Sequence, residues 1–145
     1  MKTFLFVASI LIAGANATFQ TFANFTDRYS AVFRIEDDPE TKTVDAYMKV
    51  TLIFNEAPIQ IEEKGGMWLG IGFGQGTMLG SDLIICQWND ISGKTRCSDH
   101  LASSVYPSKV PDEDVSQNLW TLSGYKADNR LEITFKRYLN TGDST

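Results

Sequence analysis

The chain has 145 residues and a formal net charge of −5, with 43% hydrophobic and 12% aromatic residues. This length and apolar content predict one domain with a single hydrophobic core, and they exclude a disordered or low-complexity protein. The acidic balance, without a basic cluster in the sequence, argues against binding to nucleic acid or to anionic lipid headgroups.

The N-terminal 17 residues have the pattern of a secretory signal peptide. Lys2 precedes an apolar run over residues 4–15, and Ala15-Asn16-Ala17 has the small-x-small form of a cleavage site. The run is too short for a bilayer core of roughly 30 Å, and the alternative interpretation is an N-terminal anchor or a buried strand. We therefore expect a secreted protein with one domain over residues 18–145 and a glycosylation acceptor at Asn24.

After a short polar lead before Tyr29, two strands are predicted in the first part of this domain. Residues 29–35 and 44–55 both alternate between two faces, and in the second strand apolar residues repeat at every other position from Val44 to Phe54. The acidic segment 36–40 between them contains a proline and lacks the Asp-x-Asp-x-Asp-Gly spacing of a calcium loop. A solvated turn is the preferred interpretation of this segment.

A glycine-rich stretch from Trp68 to Asp82 holds five of the eleven glycines. Its first part, residues 67–74, is predicted to form a strand in which Gly70 and Gly72 share one face with Trp68. That face is nearly without side chains, so another sheet or a flat ligand could approach the backbone there.

The next two predicted strands, residues 83–88 and 94–100, flank turn residues and indicate a hairpin. A four-residue loop over 90–93 places Cys86 directly opposite Cys97. Opposed positions bring Cα atoms to roughly 4.5–5.5 Å, within the bridging range, so an exported chain is expected to form this disulfide. A pair of free buried thiols is the alternative.

Residues 102–114 have a loop-like composition, and strands are predicted again over 117–123 and 130–136, with a connection over 124–129. About seven short, two-faced strands and no helix predict an all-β fold, an antiparallel β-sandwich.

The sequence offers little for catalysis. His100 is the single histidine and has no neighbours at metal-ligand spacing, which argues against a zinc or copper site. No Gly-x-Ser-x-Gly elbow is present, and the carboxylates of Asp112 and Asp114 lie in a proline-flanked loop without an apolar setting. A non-catalytic binding protein is therefore predicted, and a hydrolase that uses His100 is the enzymatic alternative.

Four side chains are candidates for ligand contact. Met78 lies in the glycine-rich loop, where its thioether could be an axial ligand of haem iron or a core plug. Trp68, Trp88 and Trp120 could stack on a sugar or a porphyrin, but packing in the core is the preferred interpretation for such large aromatic side chains.

Several of these segments, in this order, resemble the DOMON domain. They are Trp68-Leu-Gly-Ile-Gly-Phe73, Met78-x-Gly-Ser-Asp82, then Trp88, Asp99, Gln117-Asn-Leu-Trp, and Leu131-x-Ile-x-Phe-Lys-Arg137 through Thr-Gly-Asp143. The resemblance covers residues 29–143 and implies an immunoglobulin-like sandwich that serves as an extracellular ligand-binding or interaction module. The chain ends where the family usually continues into a closing strand, so the two alternatives are a truncated product or a sandwich that closes with fewer strands.

The resemblance also implies candidate ligands, which are haem b and sugars. In the cytochrome branch of the family a methionine in this loop and a late histidine hold the haem. Met78 matches the methionine, whereas His100 lies well before the late position and no histidine follows it. The preferred hypothesis is thus a module without a cofactor whose pocket lies beside Trp68, Gly70, Gly72 and Met78. The alternative is a b-type electron-transfer cytochrome with Met78 on the iron and His100, or a histidine from elsewhere, as the second ligand.

Overall fold

The computed structural model describes residues 19–38, 40–41, 43, 46–56, 66–74, 81–101, 112–113 and 117–140. These residues form nine strands: β1 (Gln20–Asn24), β2 (Tyr29–Glu36), β3 (Tyr47–Asn55), β4 (Gly66–Phe73), β5 (Asp82–Asn89), β6 (Lys94–Leu101), β7 (Asp112–Glu113), β8 (Leu119–Ala127) and β9 (Arg130–Tyr138).

The strands make two antiparallel sheets that pack face to face. Sheet A has the order β1-β2-β3-β9-β8, and sheet B has the order β4-β5-β6-β7. The predicted all-β sandwich is confirmed. The expected absence of a closing strand concerns the chain after Asn140, which lies outside the described residues. The part of the chain that the structure describes contains no helix of the length and apolarity needed to cross a membrane.

The core consists of the residues that alternate toward the space between the sheets. In sheet A, Val50 lies opposite Phe135 and Leu52 opposite Ile133, and all four are fully buried. Sheet B contributes Leu69, Ile71, Ile84 and the two cysteines. The two-residue period therefore decides which side chains are core and which face outward.

The predicted hairpin register is confirmed at each position. Asn89 pairs with Lys94 and Cys86 with Cys97, and the two cysteines form a disulfide with a Cα–Cα distance of 3.9 Å, closer than predicted. The bridge lies inside the core, since Cys86 is fully buried and Cys97 nearly so.

Three predictions about the strands were wrong. The lead before Tyr29 contains β1, whose inward residues Thr21 and Ala23 are small and whose apolar Phe22 faces outward, so the segment has no core-like pattern. The predicted loop 102–114 contains the two-residue β7.

The third error is the connection over residues 124–129, because β8 continues through Gly124 to Ala127. A Cβ at Gly124 would lie 1.7 Å from Thr95 Oγ1 and 3.1 Å from the Trp88 ring. The glycine marks the close approach of β8 to sheet B, and the turn is the shorter pair Asp128–Asn129.

Polar side chains also join the two sheets. Arg137 of sheet A, 4% exposed, forms an ion pair with Asp82 of sheet B, and its guanidinium lies 4.9 Å from the centre of the Phe73 ring. On the open edge of β6, Gln117 accepts from the Asp99 amide and donates to the Asp99 carbonyl, and Thr121 Oγ1 accepts from the Cys97 amide. These contacts satisfy backbone groups that β7 is too short to pair.

The Tyr29 hydroxyl forms a further polar contact between the sheets, because it donates to the Gly70 carbonyl at 2.6 Å on the edge of β4. Burial raises the pKa of Tyr29 well above its usual range, since the charged phenolate would lose its hydration. The neutral, donating form is therefore the one that the fold retains.

Replacing Tyr29 with Phe should lower the free energy of unfolding by about 1 kcal/mol at neutral pH, because the Gly70 carbonyl loses its donor.

The raised pKa of Tyr29 in the folded state predicts a dependence of stability on alkaline pH. Its contribution to stability is complete below about pH 10, the pKa of tyrosine in the unfolded chain, and is lost as the pH rises toward the pKa of Tyr29 in the folded state. Urea unfolding at pH 7 and pH 11 should therefore show a steeper alkaline loss for wild type than for Tyr29→Phe. Tyr125→Phe, at an exposed tyrosine, is the control. Equal stability of wild type and Tyr29→Phe at pH 7 would contradict this account.

Candidate ligand-binding cleft

The face of strand β4 that carries the two glycines, Gly70 and Gly72, points outward from the sandwich. Leu69 and Ile71 point into the core, so Trp68, Gly70 and Gly72 occupy the solvent side of sheet B. Side chains of the same sheet cover the two glycines: the Trp68 ring lies 3.5 Å from where a Gly70 Cβ would be, and Leu83 lies 3.0 Å from the corresponding point at Gly72. The space is filled by neighbours within sheet B, and not by another sheet.

Gly70 therefore determines how Trp68 is presented. Without a Cβ at position 70, the indole leans along the strand over the backbone. Trp68 nevertheless keeps 69% of its surface exposed, which is unusual for the largest side chain in a small β-domain. The expectation that tryptophans pack in the core is wrong for Trp68 and for Trp120, whereas Trp88 packs against the core.

A cleft of about 550 Å³ lies beside Trp68, where β4 begins and the β5–β6 hairpin turns. Its size falls within the range of small-molecule sites. It is lined by Gly66, Met67, Trp68, Gln87, Trp88, Asn89, Ser92, Lys94, Thr95 and Arg96.

Register brings an aromatic ring, an amide and a cation into one row across the cleft. Trp68 lies opposite Gln87, and Gln87 lies opposite Arg96. Arg96 Nη2 is 2.6 Å from Glu113 Oε1, and both side chains are largely exposed, so solvent screening makes this pair weak and leaves the cation open to exchange. The row thus offers a flat apolar surface flanked by hydrogen-bond donors and acceptors.

The hairpin turn that borders the cleft is held by local hydrogen bonds. Asn89 Oδ1 accepts from the amides of Ile91 and Ser92, and Gly93 adopts a φ of +63°, the left-handed conformation that glycine favours. Behind the turn, Asp90 Oδ1 accepts from Trp88 Nε1 and from Lys126 Nζ, both at 2.7 Å. The cleft wall is therefore fixed by polar contacts that sequence reasoning did not identify.

His100 lies on the same outer face as Trp68 but two strands away from β4. It pairs with Leu83, whose side chain lies against Gly72, and with Glu113. The residue is 9% exposed, and its Nε2 lies 2.8 Å from Ser98 Oγ. Ser98 was not among the predicted residues. The structure thus brings Trp68 and Gly70 together and keeps His100 apart from them.

The other predicted positions differ in how far the structure describes them. Met78 lies outside the described residues. Asn24 is exposed at the end of β1, and in its sequon Thr26 Oγ1 accepts from the backbone amides of Arg28 and Tyr29. Glycosylation at Asn24 stays a prediction.

The described residues do not fit an axial haem site. The Nε2 atom of His100 is engaged by Ser98, and the Leu83 side chain lies between His100 and the glycine face. Within the described ranges, no group of three His, Cys, Asp or Glu side chains is placed to hold a metal ion.

Comparison with protein families gives one match. The family model described as the DOMON domain matches residues 37–145, about three quarters of the chain. No curated protein and no solved structure matches the sequence.

The position of His100 generates a prediction about haem. Titration of the purified protein with haemin should give no sharp Soret band, because Ser98 and Leu83 hold the imidazole away from the glycine face. The measurement is an absorbance spectrum of wild type, Met78→Ala and His100→Ala under the same conditions. A sharp Soret band in wild type that either substitution abolishes would contradict this prediction.

Proposed function

Because this chain belongs to the DOMON domain family, we propose that it is a secreted, non-catalytic module that binds a carbohydrate in the cleft beside Trp68. The observation that carries the proposal is the exposed indole, which lies over Gly70 at the border of a cleft with polar walls. Both the glycine and the tryptophan belong to the stretch on which the family resemblance rests.

The chemistry of the lining supports a sugar over a purely apolar ligand. A pyranose ring has a flat face of C–H groups that can lie on an indole, and its hydroxyls need donors and acceptors around the rim. Gln87 and Ser92 supply both, the Asn89 amide nitrogen donates, and the cations of Lys94 and Arg96 donate hydrogen bonds. A wholly apolar ligand would leave these groups without partners and would lose binding free energy.

The same lining supports a binding role without catalysis. Among the described residues that line the cleft there is no carboxylate, histidine or free thiol. Ser92, Lys94 and Thr95 could act in catalysis only with an activating base, and no carboxylate or imidazole stands beside them among the described lining residues.

Three features support secretion. The Cys86–Cys97 disulfide fits an oxidising compartment, and residues 1–17 have the pattern of a signal peptide. The exposed Asn24 sequon is consistent with the same route.

Trp68→Ala should weaken binding of a neutral oligosaccharide by at least about tenfold, because exposed aromatic anchors dominate the energy of such sites. The measurement is isothermal titration with neutral oligosaccharides of glucose, mannose and N-acetylglucosamine. Tyr125→Ala removes an equally exposed ring from sheet A and should leave the affinity unchanged.

Two results would contradict the proposal. One is that no oligosaccharide of the set binds to wild type. The other is that Trp68→Ala and Tyr125→Ala, both shown to be folded by circular dichroism, bind as wild type does.

A further inference from the structure

The outer face of sheet A carries a row of three cations. Arg34 on β2 lies opposite Lys49 on β3, and Lys49 lies opposite Lys136 on β9. Like charges directly opposite each other destabilise a sheet. The protein as a whole has a net charge of −5, so a row of three opposed cations on one face is an unfavourable arrangement that its overall composition does not explain.

The row is only partly neutralised within the protein. Lys136 Nζ lies 3.8 Å from Glu36, and Arg34 Nε donates to the neutral amide of Gln20. Lys49 forms no ion pair with any residue that the structure describes. Glu36 and, at longer range, Asp38 act on Lys136, whereas no described carboxylate forms an ion pair with Arg34 or Lys49, so the surface at these two cations favours an added anion.

Aromatic rings lie beside Lys136, the last cation of the row. Trp120 on β8 lies opposite Lys136, and it contacts Tyr138 and Tyr47 with ring centres 5.1 and 5.9 Å away. Trp120 is 45% exposed, so part of its indole surface is open to a ligand. The Lys136 ammonium is 3.8 Å from the Tyr47 ring centre, which holds this cation beside the rings.

A shallow depression of about 230 Å³ lies next to the row. It is lined by Val32, Arg34, Lys49, Thr51, Leu122, Ser123 and Thr134. The Thr51 and Thr134 hydroxyls are 2.9 Å apart and share one hydrogen bond, which leaves acceptor capacity toward the depression. Hydroxyls beside two cations suit a ligand that has both hydroxyl groups and a negative charge.

We propose that this face of sheet A is a second binding site, for an acidic sugar. The ligand's carboxylate or sulfate pairs with Lys49 and Arg34, its hydroxyls bond to Thr51 and Ser123, and a neighbouring ring of the sugar chain lies against Trp120. The site is separate from the Trp68 cleft, which lies on the outer face of the opposite sheet.

Isothermal titration with a galacturonic-acid trisaccharide tests the proposal. Lys49→Gln should weaken binding by about fivefold, the upper range for an exposed ion pair. Arg28→Gln removes the same charge from a turn residue that pairs with Glu56, and it should leave the affinity unchanged. Raising the salt from about 20 mM to about 500 mM should weaken binding to wild type, because the Debye length shrinks well below 10 Å.

Three further measurements distinguish sugar binding at this site from binding in the Trp68 cleft and from non-specific binding of an anion. Lys94→Gln alters the Trp68 cleft, so loss of trisaccharide binding in that variant alone would overturn the second site. Equal affinity for inorganic sulfate and for the trisaccharide, with no effect of Trp120→Ala, would also overturn it, since the sugar would then add nothing. Undetectable trisaccharide binding to wild type would have the same consequence and would leave the proposal for the Trp68 cleft untouched.

Discussion

The register of the β5–β6 hairpin is the constraint on which the outer surface of sheet B depends. The disulfide between Cys86 and Cys97 lies inside the core and locks these two strands at one position. A slip of one residue would turn every side chain of a strand to the opposite face. Because the cysteines must point inward, Gln87 and Arg96 must point outward, where they line the same cleft as Trp68.

Most of the residues behind the family resemblance hold the sandwich together. Asp82 on β5 and Arg137 on β9 form an ion pair that joins the two sheets. Gln117 caps the open edge of β6 through the backbone of Asp99. These contacts maintain the scaffold, whereas the proposed sugar site depends on exposed residues such as Trp68.

Features that depend on local sequence could be predicted, whereas features that depend on contacts between distant strands could not. The hairpin was predictable because a four-residue turn and two cysteines agree on one register. Gly124 was misread as part of a turn, since the need for glycine there comes from Thr95 and Trp88 on the other sheet. The row of Arg34, Lys49 and Lys136 requires the order β2-β3-β9, which strand patterns alone do not give.

Amide chemical-shift mapping tests most directly whether neutral sugars bind beside Trp68, as we propose. Titrating a labelled sample with the neutral oligosaccharide of highest affinity should shift the amides of Trp68, Gln87 and Arg96 and of the hairpin turn, residues 90–93. The outer face of sheet A, from Val32 to Thr134, should stay unchanged. Shifts confined to sheet A, or clustered around His100, would contradict the claim.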